Sequence, residues 1–422
     1  MTALEFGPLT ASATTSIGID LGRHRSFCTL GDADGQRLVP LSVDHAGLIL
    51  RWVDGDRSER VTERVLRLAG DDSDEAVEVI EAVARAIFPE LSDGTTLAAR
   101  PCVAIPASFG PACRAAVVAG FNRAGVPITA RHLIDRPIAG LSGWLAKSSS
   151  ARPQGTVLVI DNDGGQLSCA AADLDTRRLL FSIPLSFGPE DDPDDVAERL
   201  RVVVEESHRL RATDAVVRDD DWSVVRSHIN HVVLTGSGCQ HPRFVELVGQ
   251  VLPEAALMAV RSAKDQAHTV AFGLLNVGWL HGWTACWPTG SIRCNGKVVR
   301  TAGPVLGNDL PLFATRGSKL SFTGPEGDDL DVEIGSVRST GVRIPAELGL
   351  TPRLRLLSDG RILLLGNAGT RPLSMRVSWP IVTEGPKPLP LRAVGRRPLE
   401  LADPVVLARP RDDRPHPARA AS

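Results

Sequence analysis

The hydrophobic pattern divides the chain into two textures. From Ser16 to about residue 276, short apolar runs alternate with helical stripes, which is the signature of an α/β architecture. Strands are expected at 17–20, 102–105, 157–161, 167–172 and 232–235. Between them, 74–88 sets Val77, Ile80, Ala84 and Ile87 on one helical stripe behind an acidic first turn. The segment 111–124 opens with Pro111 and stops at Gly125, and Asp192-Pro193 opens a further helix whose buried face is Val196, Leu200, Val203 and Leu210. Beyond residue 276 the helical period disappears. Short strands between Gly, Pro and Asp-Gly turns take over, and the run 354–365 around Asp359-Gly360 reads as a hairpin.

This texture predicts a loose leader (1–15), an α/β domain (16–278), a linker (279–290), a β domain (291–382) and a Pro/Arg-rich tail (383–422) expected to be disordered. A length of 422 residues agrees with two or three domains. With 43% hydrophobic and 23% charged residues and a net charge of -3, neither a nucleic-acid groove nor an anionic membrane surface is expected as the main partner. No run approaches the roughly 20 apolar residues of a membrane span, and the N-terminus lacks the pattern of a secretory signal, so a cytoplasmic protein is expected. The seven cysteines form no C-x-x-C pair and no zinc-type spacing, so they read as small buried thiols.

Candidate chemistry lies at strand ends. Asp20 closes the first strand and is followed by Leu21 and Gly22; such a turn offers backbone N–H groups to phosphate while the carboxylate holds a hydrated magnesium ion. A second instance is Asp161, followed by Asn162-Asp163-Gly164-Gly165-Gln166 and another strand. Two strand–carboxylate–glycine hairpins suit a nucleotide triphosphate and its metal, clamped from two sides. A third turn, Gly236-Ser237-Gly238, follows a strand and precedes a helix near Pro242, where backbone amides favour polar or anionic groups.

In this order the three turns resemble the phosphate-1, phosphate-2 and adenosine loops of actin-fold ATPases, and in particular the heat shock protein 70 family. Val103-Ala104-Ile105-Pro106-Ala107-Ser108-Phe109, Arg114, Ala119-Gly120 with Ala124-Gly125, and Ile134-Asp135-Arg136-Pro137-Ile138-Ala139-Gly140 resemble that family's V-P-A-x-F, arginine, A-G…A-G and N-E-P-T-A-A run. Thr269-Val270-Ala271-Phe272-Gly273 resembles the helix closing its ATPase domain, and Gly341–Pro345 with Asp359–Leu363 resembles the end of its substrate-binding β-sandwich. The resemblance implies an actin-like two-lobed nucleotide-binding fold, then a small all-β sandwich-like domain. It implies ATP or ADP with Mg2+ between the lobes, contacted by Asp20, Leu21, Gly22, Arg23, Asp161, Gly164, Gly165, Gln166, Gly236, Ser237 and Gly238. Asp20 and Asp161 would be the catalytic carboxylates and reach the metal through water. Pro106 and Arg114 would relay nucleotide state, and the partner would be a protein or unfolded-peptide client.

The chain departs from the family where turnover is decided. Arg23-His24 replaces two threonines, no lysine precedes Lys147, Arg136 stands in place of the catalytic glutamate, Asp163 in place of glycine, Gln166 in place of threonine, and Gln240 in place of an arginine. Phosphoryl transfer rests on positioning and electrostatics, so slow or absent hydrolysis is expected. Two readings follow: a degenerate chaperone-like nucleotide-binding protein, or an inactive regulatory or scaffold protein whose β domain is an interaction module. A small-molecule kinase is a lesser third. His24 and His241 read as solvated turn residues, and Trp279, Trp283 and Trp287 as packing.

Overall fold

The computed structural model describes residues 16–22, 26–32, 35–41, 49–51, 58–60, 65, 67–68, 73–88, 101–148, 153–163, 166–186, 199–201, 229–240, 242–252, 263–285, 290–300, 309–312, 317–324, 327–349, 351–356, 361–367, 370–380 and 400–401. The expected leader, most of the helix expected from 192, the Asp359-Gly360 turn and nearly all of the tail lie outside these residues. The protein is mixed α/β with several sheets. Among the described residues no helix is long and apolar enough to cross a membrane.

The first unit begins with β1 (Ser16–Asp20), β2 (Ser26–Asp32) and β3 (Gly35–Leu41), an antiparallel meander. A separate ribbon, β4 (Ile49–Arg51) with β5 (Ser58–Arg60), follows. Helix α1 (Ser73–Ile87) buries Val77, Ile80, Ala84 and Ile87, as its stripe requires. Strand β6 (Cys102–Ile105) then joins β1 in parallel, and α2 (Pro111–Arg123) leads to β7 (Leu133–Asp135), parallel to β6. Proline at the start of α2 loses no hydrogen bond, and Gly125 just past its end takes φ +80, which a side chain would resist. The strand order β3-β2-β1-β6-β7 rests on a core of α1, α2 and the β1 and β6 side chains.

A second unit repeats the plan. Helix α3 (Arg136–Ser148) leaves β7 at once, followed by the meander β8 (Thr156–Asp163), β9 (Gln166–Asp173) and β10 (Arg178–Ser186), with β11 (Ile229–Thr235) parallel to β8. Its order, β10-β9-β8-β11, matches that of the first sheet up to the first parallel strand. Helices α4 (Pro242–Val251) and α5 (Ala263–Leu275) complete it. The expected strands at 157–161 and 167–172 are each longer, because β8 and β9 pair over their whole length from Thr156↔Asp173 to Asp163↔Gln166.

The two units are tied by an exchange of helices. α3 follows a first-sheet strand yet packs mainly on β8, β9 and β11, whereas α5 follows the second unit and lies across β1, β2 and β6. Where α3 and α5 cross, their backbones touch. A methyl group at Gly273 would run into the Ala139 carbonyl, and one at Gly143 into the Thr269 carbonyl. Gly18 similarly admits Leu274 against β1, and the Thr29 hydroxyl there lies 3.2 Å from the carbonyls of both Gly18 and Ala271.

The C-terminal part contains β12 (Thr284–Ala285), β13 (Ser291–Cys294), β14 (Lys297–Arg300), β15 (Asp309–Pro311), β16 (Lys319–Thr323), β17 (Val332–Ile334), β18 (Val337–Ser339), β19 (Val342–Arg343), β20 (Arg353–Leu356), β21 (Arg361–Leu365), β22 (Leu373–Val377) and β23 (Trp379–Pro380). One sheet runs β14-β13-β16-β19 and another β15-β20-β21-β22-β17-β18. β20 and β21 pair as the expected hairpin, Leu356 opposite Ile362. The segment expected as a linker is a joint: β12 extends the second-unit sheet beside β10, and β23 pairs with β12 from the other side. Trp283 and Trp379 are buried there, and Phe322 meets Trp379 edge-on at 5.9 Å. From the expected tail, β24 (Glu400–Leu401) lies parallel to Arg37–Leu38 of β3.

The helix crossing yields a direct test. Gly273→Ala should lower the free energy of unfolding by about 3 kcal/mol through overpacking, whereas Gly110→Ser, where a side chain meets nothing within 4 Å, should stay near wild type; urea titration of both variants checks this.

Candidate functional site

The site lies where the two sheets and the first residue of α3 converge. Asp20 ends β1 between β2 and β6, and Leu21 carries that pairing on by donating its N–H to the Ala104 carbonyl at 3.0 Å. Asp161 sits within β8 between Ser168 of β9 and Thr235 of β11. Both carboxylates are therefore enclosed by backbone on either side and are at most 1% exposed. Asp163, two residues along β8, shares the side of the strand with Asp161 and is also buried.

Into this group projects Arg136. Its Nε donates to Asp161 Oδ2 at 2.9 Å, its Nη1 pairs with Asp20 Oδ1, and its Nη2 lies 3.7 Å from Asp163 Oδ2. The remaining Asp161 oxygen accepts the Thr235 hydroxyl at 2.8 Å. Arg136 opens a helix, where the backbone dipole disfavours a cation, so the aspartates must supply what the helix does not. Burial works against its charge, but Asp161, Asp163 and Asp20 outweigh that, and the guanidinium is held firmly protonated.

Arg136 is shared by three buried carboxylates. Burial raises the pKa of Asp20 to about 7, opposed by Arg136 and reinforced by Asp163 and Asp161. Burial likewise raises Asp161, against Arg136 and the Thr235 hydrogen bond. Among the described residues Asp20 Oδ2 has no hydrogen-bond partner, so a proton there leaves the Arg136 contact on Oδ1 undisturbed.

The preceding residue makes a second link. Asp135 pairs with Arg114, whose Nε donates to the Phe109 carbonyl at 2.9 Å, and its other oxygen accepts the Ser182 hydroxyl of β10 at 2.7 Å. The dipeptide Asp135-Arg136 thus reaches α2 and β10 with one side chain and β1 and β8 with the next. Arg114, expected as a relay residue, is part of this contact. Pro106, its expected companion, is buried and accepts the Phe109 N–H at 3.0 Å through its carbonyl.

Of the other expected site residues, Leu21 and Gly22 are buried beside Asp20. Gly236, at φ +87, and Gly238 are packed on the second turn: a side chain at Gly236 would strike the Asn162 carbonyl, and one at Gly238 the Asn162 amide. Ser237 belongs to a short helical turn (Ser237–Gln240) and Gln166 to the start of β9; Arg23, His24, Gly164, Gly165 and His241 lie outside the described residues. Among the described residues no group of three or more His, Cys, Asp or Glu side chains is arranged to hold a metal ion. The Arg136 guanidinium stands where a cation shared by Asp20 and Asp161 would stand, so these residues do not fit the expected Mg2+ while Arg136 is in place. Cys102, Cys113, Cys169, Cys239 and Cys294 are buried, and burial pushes the Cys102 thiol up to about 12, so these five remain protonated packing groups.

Sequence reading registered Arg136 and Asp163 only as departures and missed that they are complementary. The available signal was charge balance, a cation gained at one strand end and a carboxylate at another. No protein-family model matches the sequence, and no curated protein matches it.

Arg136→Ala should cost about 3–5 kcal/mol of stability near neutral pH, by leaving buried carboxylates without their cation. The Asp20 pKa is raised from 3.8 unfolded to about 7 folded, so the folded state holds the extra proton and stability falls as pH climbs between those values. Asp20→Asn should therefore flatten the pH dependence of the urea midpoint over that window and be more stable than wild type above it. The slope left by Asp161 has the same sign.

Proposed function

We propose that this chain is a catalytically inactive, actin-like two-lobed protein of the heat shock protein 70 kind, serving as a regulatory or scaffold protein through its C-terminal β domain. The observation that carries the reading is the buried cluster of Arg136 with Asp20, Asp161 and Asp163. The carboxylates needed to hold a hydrated metal are spent on an internal guanidinium that also bridges the two sheets. Catalysis of phosphoryl transfer needs a divalent ion and oriented water at that place, and the cluster opposes both. The two-lobed plan is supported by the repeated strand order of the two units and by their exchanged, crossing helices. The interaction role is supported by the joint at β12 and β23, which fixes the β domain to the second unit.

The competing reading is a chaperone-like protein that binds ATP or ADP with Mg2+ and couples it to a peptide client. The order of the three glycine turns favours it.

Calorimetric titration with Mg2+ and ATP, together with a phosphate-release assay, separates the two. The scaffold reading expects no Mg2+-dependent heat and no phosphate release above buffer. Mg2+-dependent turnover that Asp161→Asn abolishes would overturn it. A labelled extended apolar peptide whose affinity changes on adding ATP would establish the coupled chaperone instead.

A further inference from the structure

The β domain carries a charge pattern that the readings above leave unused. Residues 291–382 hold twelve Lys and Arg against eight Asp and Glu, a local charge of +4 in a chain whose total is -3. In the sheet β15-β20-β21-β22-β17-β18 the inner face is apolar, with Leu354, Ile362, Leu364, Met375, Val377 and Val332 buried. The alternate positions form the outer face.

Register fixes what stands side by side there. Arg361 is opposite Arg376, Arg376 opposite Glu333, and Glu333 opposite Arg338, so one row across four strands has three guanidinium groups to one carboxylate. On the same face Arg355 is opposite Leu363 and Arg353 opposite Leu365, with both leucines half-buried. Asp309 stands at the edge position opposite Arg355.

We infer that this face binds an acidic, extended protein segment whose carboxylates alternate with apolar residues; the inference rests on the reading of the β domain as an interaction module. Arginines at alternate positions of one strand are about 7 Å apart, the spacing of alternate side chains in an extended peptide, and guanidinium groups hold carboxylates bidentately. Leu363 and Leu365 give the intervening apolar residues a surface. A single-stranded nucleic acid fits less well. Stacking on aromatic rings is how such strands are commonly held, the six strands of this sheet contain no aromatic residue, and the chain has no tyrosine.

Fluorescence anisotropy on the full chain tests this, with a labelled peptide alternating glutamate and leucine, the same peptide with lysine or serine replacing glutamate, and a labelled single-stranded oligonucleotide. The glutamate peptide should bind best and weaken as salt rises from 0.01 to 0.1 M, where the screening length falls from about 30 to about 10 Å. Arg361→Ser with Arg376→Ser should weaken it about tenfold while the far-ultraviolet circular dichroism of the folded chain stays that of wild type. Lys319→Ser, on the other sheet of the domain, should leave it unchanged.

Salt-insensitive binding of the serine peptide, or equal binding by the double variant, would overturn the acidic-segment inference while leaving the interaction-module reading intact. Tighter binding of the oligonucleotide would assign the face to nucleic acid, and self-association abolished by the double variant would assign it to a second copy; either overturns the proposal. Binding of no probe at all would overturn the inference and leave the module reading to be decided by the titrations with ATP and the apolar peptide.

Discussion

The position of one guanidinium governs this protein. Arg136 lies at a helix start, a poor place for a cation, and is buried with three carboxylates drawn from both sheets. Buried ion clusters contribute little net stability, because desolvation offsets the Coulomb gain, but they penalise heavily any arrangement that separates the partners. Such a cluster acts as a specificity device: it makes one relative placement of the two sheets strongly preferred over alternatives in which a carboxylate or the guanidinium would be buried alone.

The rest of the α/β part is arranged so that this convergence is reached. α3 crosses α5 with backbones in contact, which requires Gly143 and Gly273, and that approach brings the first residue of α3 to the ends of β1 and β8. Asp135 completes the arrangement by engaging Arg114 and Ser182 from the adjoining position. Sheet order, helix exchange and ionic cluster are therefore one constraint expressed at three levels. Among the described residues the second oxygen of Asp20 has no partner, which leaves that carboxyl the place where a proton is taken up.

The boundary between the α/β part and the β domain is governed by hydrophobic burial. Trp283 and Trp379 are distant in sequence, yet both are buried where β12 and β23 extend the second-unit sheet. The two textures of the sequence therefore meet in a shared core, and the change of texture marks a change of architecture with no loss of packing continuity.

Local periodicity was enough to determine several of the elements. Val77, Ile80, Ala84 and Ile87 share a helical face whatever surrounds them, Pro111 and Gly125 bound their helix by backbone chemistry, and the pairing of β20 with β21 needs only neighbouring residues. Asp20 and Asp161 were recognisable as carboxylates following apolar strand residues for the same reason, although β8 runs on past Asp161 to Asp163. Their shared partner was not, because Arg136 lies 116 residues from Asp20 and 25 from Asp161, and nothing in a local window says which strand ends will meet. In the sequence Arg136 and Asp163 are two separate irregularities. Only the sheet order and the helix crossing bring them within reach of one another, and at that range, away from water, opposite charges decide what the site holds.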